Sequence, residues 1–296
     1  MKALHHAMVG GSPKSAPVYW RDLSFEPVVG QTPVTATYRY NESVVVWASC
    51  VRLQHMQLLP DGRMFWGERQ FGGMMLASFD SGHHMEADHF THSGDYLTCD
   101  SKVAGFDVNL RTALLEPQGR FGAWSVTNNG VRRFRLSTPF DLSTAVADSS
   151  AVQLTDYNVD AMAFSSDGTK LFYKNLTHYE LRMRTMTTPF DVTTLAAQDS
   201  ATVNLQQFYS GMTWRDFAFS PDGLNMVMTT GDGLGRVHRF HLLSPFDIST
   251  LVWDEQEVIA SSDTWLDGVA LNDDGSKLLL FNSTNNNDRF FMSYGL

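Results

Sequence analysis

Cysteine is nearly absent: Cys50 and Cys99 are the two in 296 residues. Two thiols cannot make a disulfide framework and lack the CxxC spacing of a zinc or redox site, so they read as small buried hydrophobes. Long apolar runs are also missing. The longest, "SVVVWASCV" at 43–51, falls far short of the roughly 18 residues that cross a bilayer. The opening "MKALHHAMVGG" has no apolar core of the kind that drives secretion, which predicts synthesis in a cytoplasm without a signal peptide. Positive charge is scarce, with 22 Lys and Arg against 32 Asp and Glu, a formal net charge of −10 and no basic tract. That balance argues against non-specific binding to nucleic acid or an anionic membrane, so no nucleic-acid partner and no membrane insertion are expected. The GxSxG, HExxH and Cys/His spellings of familiar hydrolases do not occur, and no amphipathic helix of convincing length shows up.

What is present suits a globular core: 43% hydrophobic residues, 12% aromatics and 22 glycines, too apolar for a disordered chain. The chain also repeats itself. "LPDGRMFWGER" from Leu59, "SSDGTKLFYKN" from Ser165, "SPDGLNMVMTT" from Ser220 and "NDDGSKLLLFN" from Asn272 are versions of one phrase, and weaker copies carry Gly94 and Gly119. Four residues before the six glycines stand Leu58, Phe90, Leu115, Phe164, Phe219 and Leu271; nine before stand Leu53, Met85, Leu110, Val159, Trp214 and Leu266. A large apolar residue at both places in every copy is a core pattern. A second phrase follows the first, "STPFDLST" at 137–144, "TTPFDVTT" at 187–194 and "LSPFDIST" at 243–250.

Each unit reads as strand, DG hairpin turn, strand, turn, strand. The Asp-Gly turn accepts positive φ, and the proline of the second phrase ends the third strand because it cannot donate to a ladder. Four-stranded antiparallel units repeated about six times predict an all-β fold, a β-propeller of about six blades. The glycine spacings, by subtraction 32, 25, 49, 55 and 52, make the first two units short, and if these merge the ring has five blades. The last unit has no room for a fourth strand, so a strand from 32–40 or 43–50 is expected to complete it and close the ring. Residues 1–30, rich in Gly and Pro, read as an extended docking arm ahead of a propeller at 31–296.

The SxDG turn followed by LSTPFDxST resembles the repeats of WD40-like and YVTN-like propellers, and more closely those of LSTPFDIST repeat proteins of tailed bacteriophages and marine bacteria. The WD dipeptide is absent. The resemblance implies a binding or structural platform and carries over no catalytic residue and no cofactor. The expectation is a non-enzymatic virion protein, a tail-fibre or tail-tip receptor-binding propeller. It would join other virion proteins through residues 1–30 and present loops to a host receptor or glycan. Capsid decoration, a propeller hydrolase or lyase with a channel metal, and an intracellular protein-interaction scaffold are the alternatives.

Chemistry-bearing residues concentrate in "GHHMEADHFTHSGD" at 82–95, where Asp88, His89 and His92 are the candidate metal ligands. Asp88 occupies a slot filled elsewhere by Met56, Ala113, Met162, Phe217 and Val269, and His89 one filled by Ala163, Ala218 and Ala270 on the strand expected to line the channel. Alternation sends Asp88 and His89 to opposite faces, which favours a polar blade over a metal site. Arg132, Arg182 and His238 align on the third strands as candidate ligand-facing positions, with pairing to nearby carboxylates the plainer reading. "TTGDGLGRVHRF" at 229–240 mimics a phosphate loop, but no Lys-Ser/Thr follows, so it reads as a turn.

Overall fold

The computed structural model describes residues 53–68, 72–79, 97–107, 110–126, 130–154, 159–175, 179–208, 213–231, 236–259, 265–271, 277–283 and 289–295. They form a β-propeller. Strands β1 (Leu53–Leu58), β2 (Met64–Glu68), β3 (Gly73–Phe79) and β4 (Leu97–Val103) make a first antiparallel sheet. The second holds β5 (Leu110–Leu115), β6 (Phe121–Val126), β7 (Val131–Leu136) and β8 (Ala145–Val152). The third holds β9 (Val159–Phe164), β10 (Lys170–Asn175), β11 (Glu180–Thr185) and β12 (Ala201–Asn204). The fourth holds β13 (Trp214–Phe219), β14 (Asn225–Thr230), β15 (Arg236–Leu242) and β16 (Leu251–Ile259). A three-stranded sheet of β17 (Trp265–Leu271), β18 (Lys277–Ser283) and β19 (Arg289–Gly295) is the last.

The first strand of each sheet packs against the first strand of the next, and β17 returns to β1, so the five sheets close on themselves. About six blades were expected, five if the two short units merge, and the described residues give five sheets. The shortfall lies in the abbreviated units. Only 32 residues separate Gly62 from Gly94, and β4, which follows Gly94, pairs with β3 as the fourth strand of the first sheet instead of opening a blade of its own. The 85–90 segment, the arm at 1–30 and the closing strand sought at 32–50 lie outside the described residues, as does Cys50.

Apolar side chains fill four of the seams. Phe65, Met74 and Leu76 of the first sheet meet Leu110, Trp124 and Phe134 of the second. Leu114 and Ala123 meet Met162, Leu171 and Tyr173. Phe172 and Leu181 meet Phe217, Met226 and Phe240, and Val227 and Val237 meet Leu266, Val269 and Leu280. The core is therefore made of interfaces between sheets, as a propeller requires.

Both repeated phrases are construction. Gly119, Gly168 and Gly223 of the hairpin turns have φ of +66°, +70° and +70°. The phenylalanine of each following PFD lies against its glycine: a Cβ on Gly168 would meet the Phe190 ring at 2.4 Å, and Gly119–Phe140 and Gly223–Phe246 repeat the contact. Phe140, Phe190 and Phe246 themselves hold positive φ, 63°, 60° and 53°. That conformation costs an aromatic residue about 1–2 kcal/mol. It is offset by amide hydrogen bonds from each Phe to its glycine carbonyl at 2.8, 2.8 and 2.9 Å. The next residue, Asp141, Asp191 or Asp247, caps a 3-10 turn by accepting from the backbone N–H of Ser143, Thr193 or Ser249, and the turn buries Leu142, Val192 or Ile248. These capped turns dock on the preceding sheet. Leu142 donates its amide to Ser101 Oγ at 2.6 Å, Arg133 pairs with Asp191, and Lys170 Nζ reaches the Phe246 carbonyl at 3.0 Å.

Candidate functional site

All five inner strands carry one extra residue near their start. Three steps along β1 (Leu53 to Met56) oppose two along β2 (Glu68 to Trp66), and β5, β9, β13 and β17 repeat the irregularity around Arg111–Thr112, Asp160, Arg215–Asp216 and Asp267. A bulge re-aims side chains and frees backbone groups. Here it places polar residues where alternation alone would put apolar ones.

The result is a belt of buried charge around the axis. Arg111 Nη1 lies 2.5 Å from Asp160 Oδ1, joining the second and third sheets. Arg215 faces Asp267 at 3.8 Å, joining the fourth and fifth. His55 Nδ1 lies 2.7 Å from Asp216 Oδ1, joining the first and fourth. Asp216 is fully buried and also accepts the amides of Phe217 at 2.8 Å and Val269 at 2.9 Å. The two backbone donors help satisfy a carboxylate that has no access to water. Lys174 on β10 is buried beside this belt. Burial pushes its amine down to about 8, against the attraction of Asp160 and Asp216.

On the hairpin-turn side of the belt the inner strands widen into a cavity of about 270 Å³. Space arises because Ala163, Ala218 and Ala270 stand where the first two sheets have Gln57 and Leu114. Its lining includes Met56, Met162, Phe217 and Val269 of the inner strands, Pro60, Pro117, Ser166 and Pro221 of the repeated turns, and His55 of the belt. Gln57 is occupied, donating to and accepting from the backbone of Leu115 at 2.8 Å each way. Ser165 and Ser220 donate to Asp167 and Asp222 within their turns.

The expected site residues fall elsewhere. Asp88, His89 and His92 lie outside the described residues, and among the described residues no three His, Cys, Asp or Glu side chains converge as a metal site would require. The three alanines aligned with His89 do line the channel. The third-strand cations do not form a ligand-facing stripe. His238 is fully buried, edge-on to Trp214 at 5.0 Å, which removes it from any ligand-facing role. Arg182 pairs with Glu180 and Asp199, while Arg132 is half-buried on β7. Carboxylate pairing is the rule: Arg133 with Asp148, Arg184 with Asp199 and Arg239 with Asp254. Most such pairs stay within one sheet; Arg133 to Asp191 crosses to the next. His55 and Asp216 escaped the sequence reading, although a signal was there. Asp216 aligns with His55, Thr112, Ala161 and Gly268, and a carboxylate on a buried inner strand needs a partner.

Neither a family model nor a curated protein sequence matches the chain. Solved structures similar to it include one described as a β-propeller domain. A chain of the mitotic checkpoint complex matches at 13% identity and TM-score 0.45, over 83% of this chain and 63% of that one, so this chain spans less than two thirds of that relative. The β-propeller domain of Cps50 (Swd1) from Myceliophteria thermophila matches at 11% identity and TM-score 0.46, over 79% and 67%. A protein from Lactobacillus plantarum matches at 12% and 0.43, over 82% and 70%. The likeness is one of fold alone, and the propeller assignment rests on the sheet order above. Among the described residues no helix is long and apolar enough to cross a membrane.

Proposed function

We propose that this propeller is a non-enzymatic binding and structural component of a tailed-phage virion, placed at the tail fibre or tail tip. The carrying observation is that both repeated phrases close on each other within the fold, glycine on phenylalanine and aspartate on its own turn. What differs in sequence from copy to copy is the stretch between the second and third strands, "TNNG" at 127–130, "NLTH" at 175–178 and "GDGLG" at 231–235. Varied loops on a repeated frame suit recognition of a receptor, a glycan or a neighbouring subunit. The acidic surface balance favours a protein or sugar partner over nucleic acid.

The experiment has two arms. Purified protein added to host cells should compete with phage adsorption, and a chain lacking residues 1–30 should still compete but no longer enter particles. Competition by neither form would remove the receptor reading. Incorporation of the shortened chain would remove the docking role of 1–30.

A further inference from the structure

Gln57 shows how this fold satisfies the axis-facing edge of an inner strand. Its side-chain amide donates to the Leu115 carbonyl and accepts the Leu115 N–H, 2.8 Å each way, from the first sheet to the second. Leu115 needs that partner because of its place in the ladder. Glu116 donates its amide to Phe121 across the hairpin, and alternation in an antiparallel pair turns the N–H and C=O of the preceding residue away from β6, toward the axis. Phe219 holds the same place in the fourth sheet. Ser220 donates to Asn225, so the backbone of Phe219 also faces inward. By the repeat, its partner would come from position 163 of the third sheet, but that residue is alanine. Among the described residues nothing pairs with the inward N–H and C=O of Phe219, and both Ala163 and Phe219 line the 270 Å³ cavity.

We infer that this cavity binds a small uncharged molecule with a primary carboxamide on an apolar body, the benzamide class, its amide docked on the Phe219 backbone as Gln57 docks on Leu115. The chemistry follows from the backbone pair. A carboxamide carries a donor and an acceptor side by side and meets an N–H and a C=O at once, whereas a carboxylate or a ketone brings no donor and a hydrocarbon brings neither group. Charge is disfavoured. Among the described residues no Lys, Arg, Asp or Glu lines the cavity, so an ion entering it would give up its water for no carboxylate, ammonium or guanidinium. Size and surroundings suit an aromatic body. A cavity of about 150 Å³ takes up benzene, this one is larger, and Phe164, Phe190 and Phe246 line it beside Phe219. The site goes beyond the virion reading and does not depend on it, since isolated protein can fill it.

The test titrates the purified, ¹⁵N-labelled full chain with benzamide, acetophenone and benzoate and follows the Phe219 amide by NMR. Acetophenone keeps the ring and the carbonyl and lacks the donor. Benzamide should bind about two- to tenfold tighter than acetophenone, in line with one net hydrogen bond, and should shift the Phe219 N–H, while benzoate should bind weakest. Ala163→Gln gives the third sheet the residue that the first carries at this place, so its side chain should take the Phe219 backbone and abolish benzamide binding. If Ala163→Gln does not fold, Ala163→Leu, matching Leu114 of the second sheet, blocks the same space. No benzamide binding, equal affinity for benzamide and acetophenone, preference for benzoate, a Phe219 amide that stays put at saturation, or undiminished binding by the folded variant would each overturn the inference.

Discussion

The Phe190 amide donates to the Gly168 carbonyl at 2.8 Å while the Phe190 ring covers the face of Gly168 where a side chain would begin, 2.4 Å from a Cβ placed there. Two residues 22 positions apart thus pin the hairpin turn between β9 and β10 to the turn that follows β11 (by subtraction, 190 − 168). Gly168→Ala should lose both the φ allowance and the ring contact, about 2–4 kcal/mol in chemical denaturation. Gly105 is the control. It also has positive φ, but open space surrounds a Cβ there, so Gly105→Ala should cost only about 1 kcal/mol. Equal costs would show that the ring contact contributes nothing.

Asp216 holds three sheets together, through His55 of the first and Val269 of the fifth from its own place in the fourth. Asp216→Ala should destabilise by about 3–5 kcal/mol, since it strands two amides and an imidazole in the interior. At about 2–4 °C per kcal/mol this is a drop on the order of 10 °C in a thermal melt. Asp216→Asn keeps an acceptor and should lose less.

Lys174 makes stability pH-dependent in an unusual sense. The unfolded chain keeps this proton up to about its ordinary 10.5, whereas the folded chain releases it near 8. Between those values the unfolded state binds more protons, so stability rises with pH; below 8 both states are charged and burial exacts its full cost. Lys174→Met should therefore stabilise at pH 7, by about 1–3 kcal/mol, and the gain should shrink toward zero by pH 10. Urea denaturation at the two pH values checks it. A gain that grows with pH would reverse the sign.

Asp191 caps its turn and also takes the Arg133 guanidinium of the preceding sheet, while Asp247 caps without an arginine from its neighbour among the described residues. Asp247→Ala should cost about 1 kcal/mol, the usual value of an N-cap. Asp191→Ala should cost more, and the excess should fall in high salt because the Arg133 pair is partly solvent-facing.

Much of the architecture was legible because a propeller writes each seam with the same residues. In the copies that the described residues cover, the apolar places four and nine before the glycine fall at or beside strand ends, with Leu110, Leu115, Val159, Trp214 and Leu266 in the core, and the third strands end before their prolines. The choice between six blades and five was left open by the sequence. Gly62 and Gly94 have the spelling of two units, but pairing decides blades, and β4 pairs with β3. The site was hidden for a related reason. His55 and Asp216 are 161 residues apart and each looks like a stray polar residue in a strand.

The chain alone determined that it would fold as repeated antiparallel sheets with Asp-Gly hairpin turns and proline-terminated third strands, because those preferences are local: φ, hydrogen-bond donors and side-chain period act within a few residues. Tertiary structure decided which polar groups meet at the axis. Bulges in five inner strands turn Arg111, Asp160, Asp216 and their neighbours toward one another, and only ring closure brings the first sheet to the fourth and fifth.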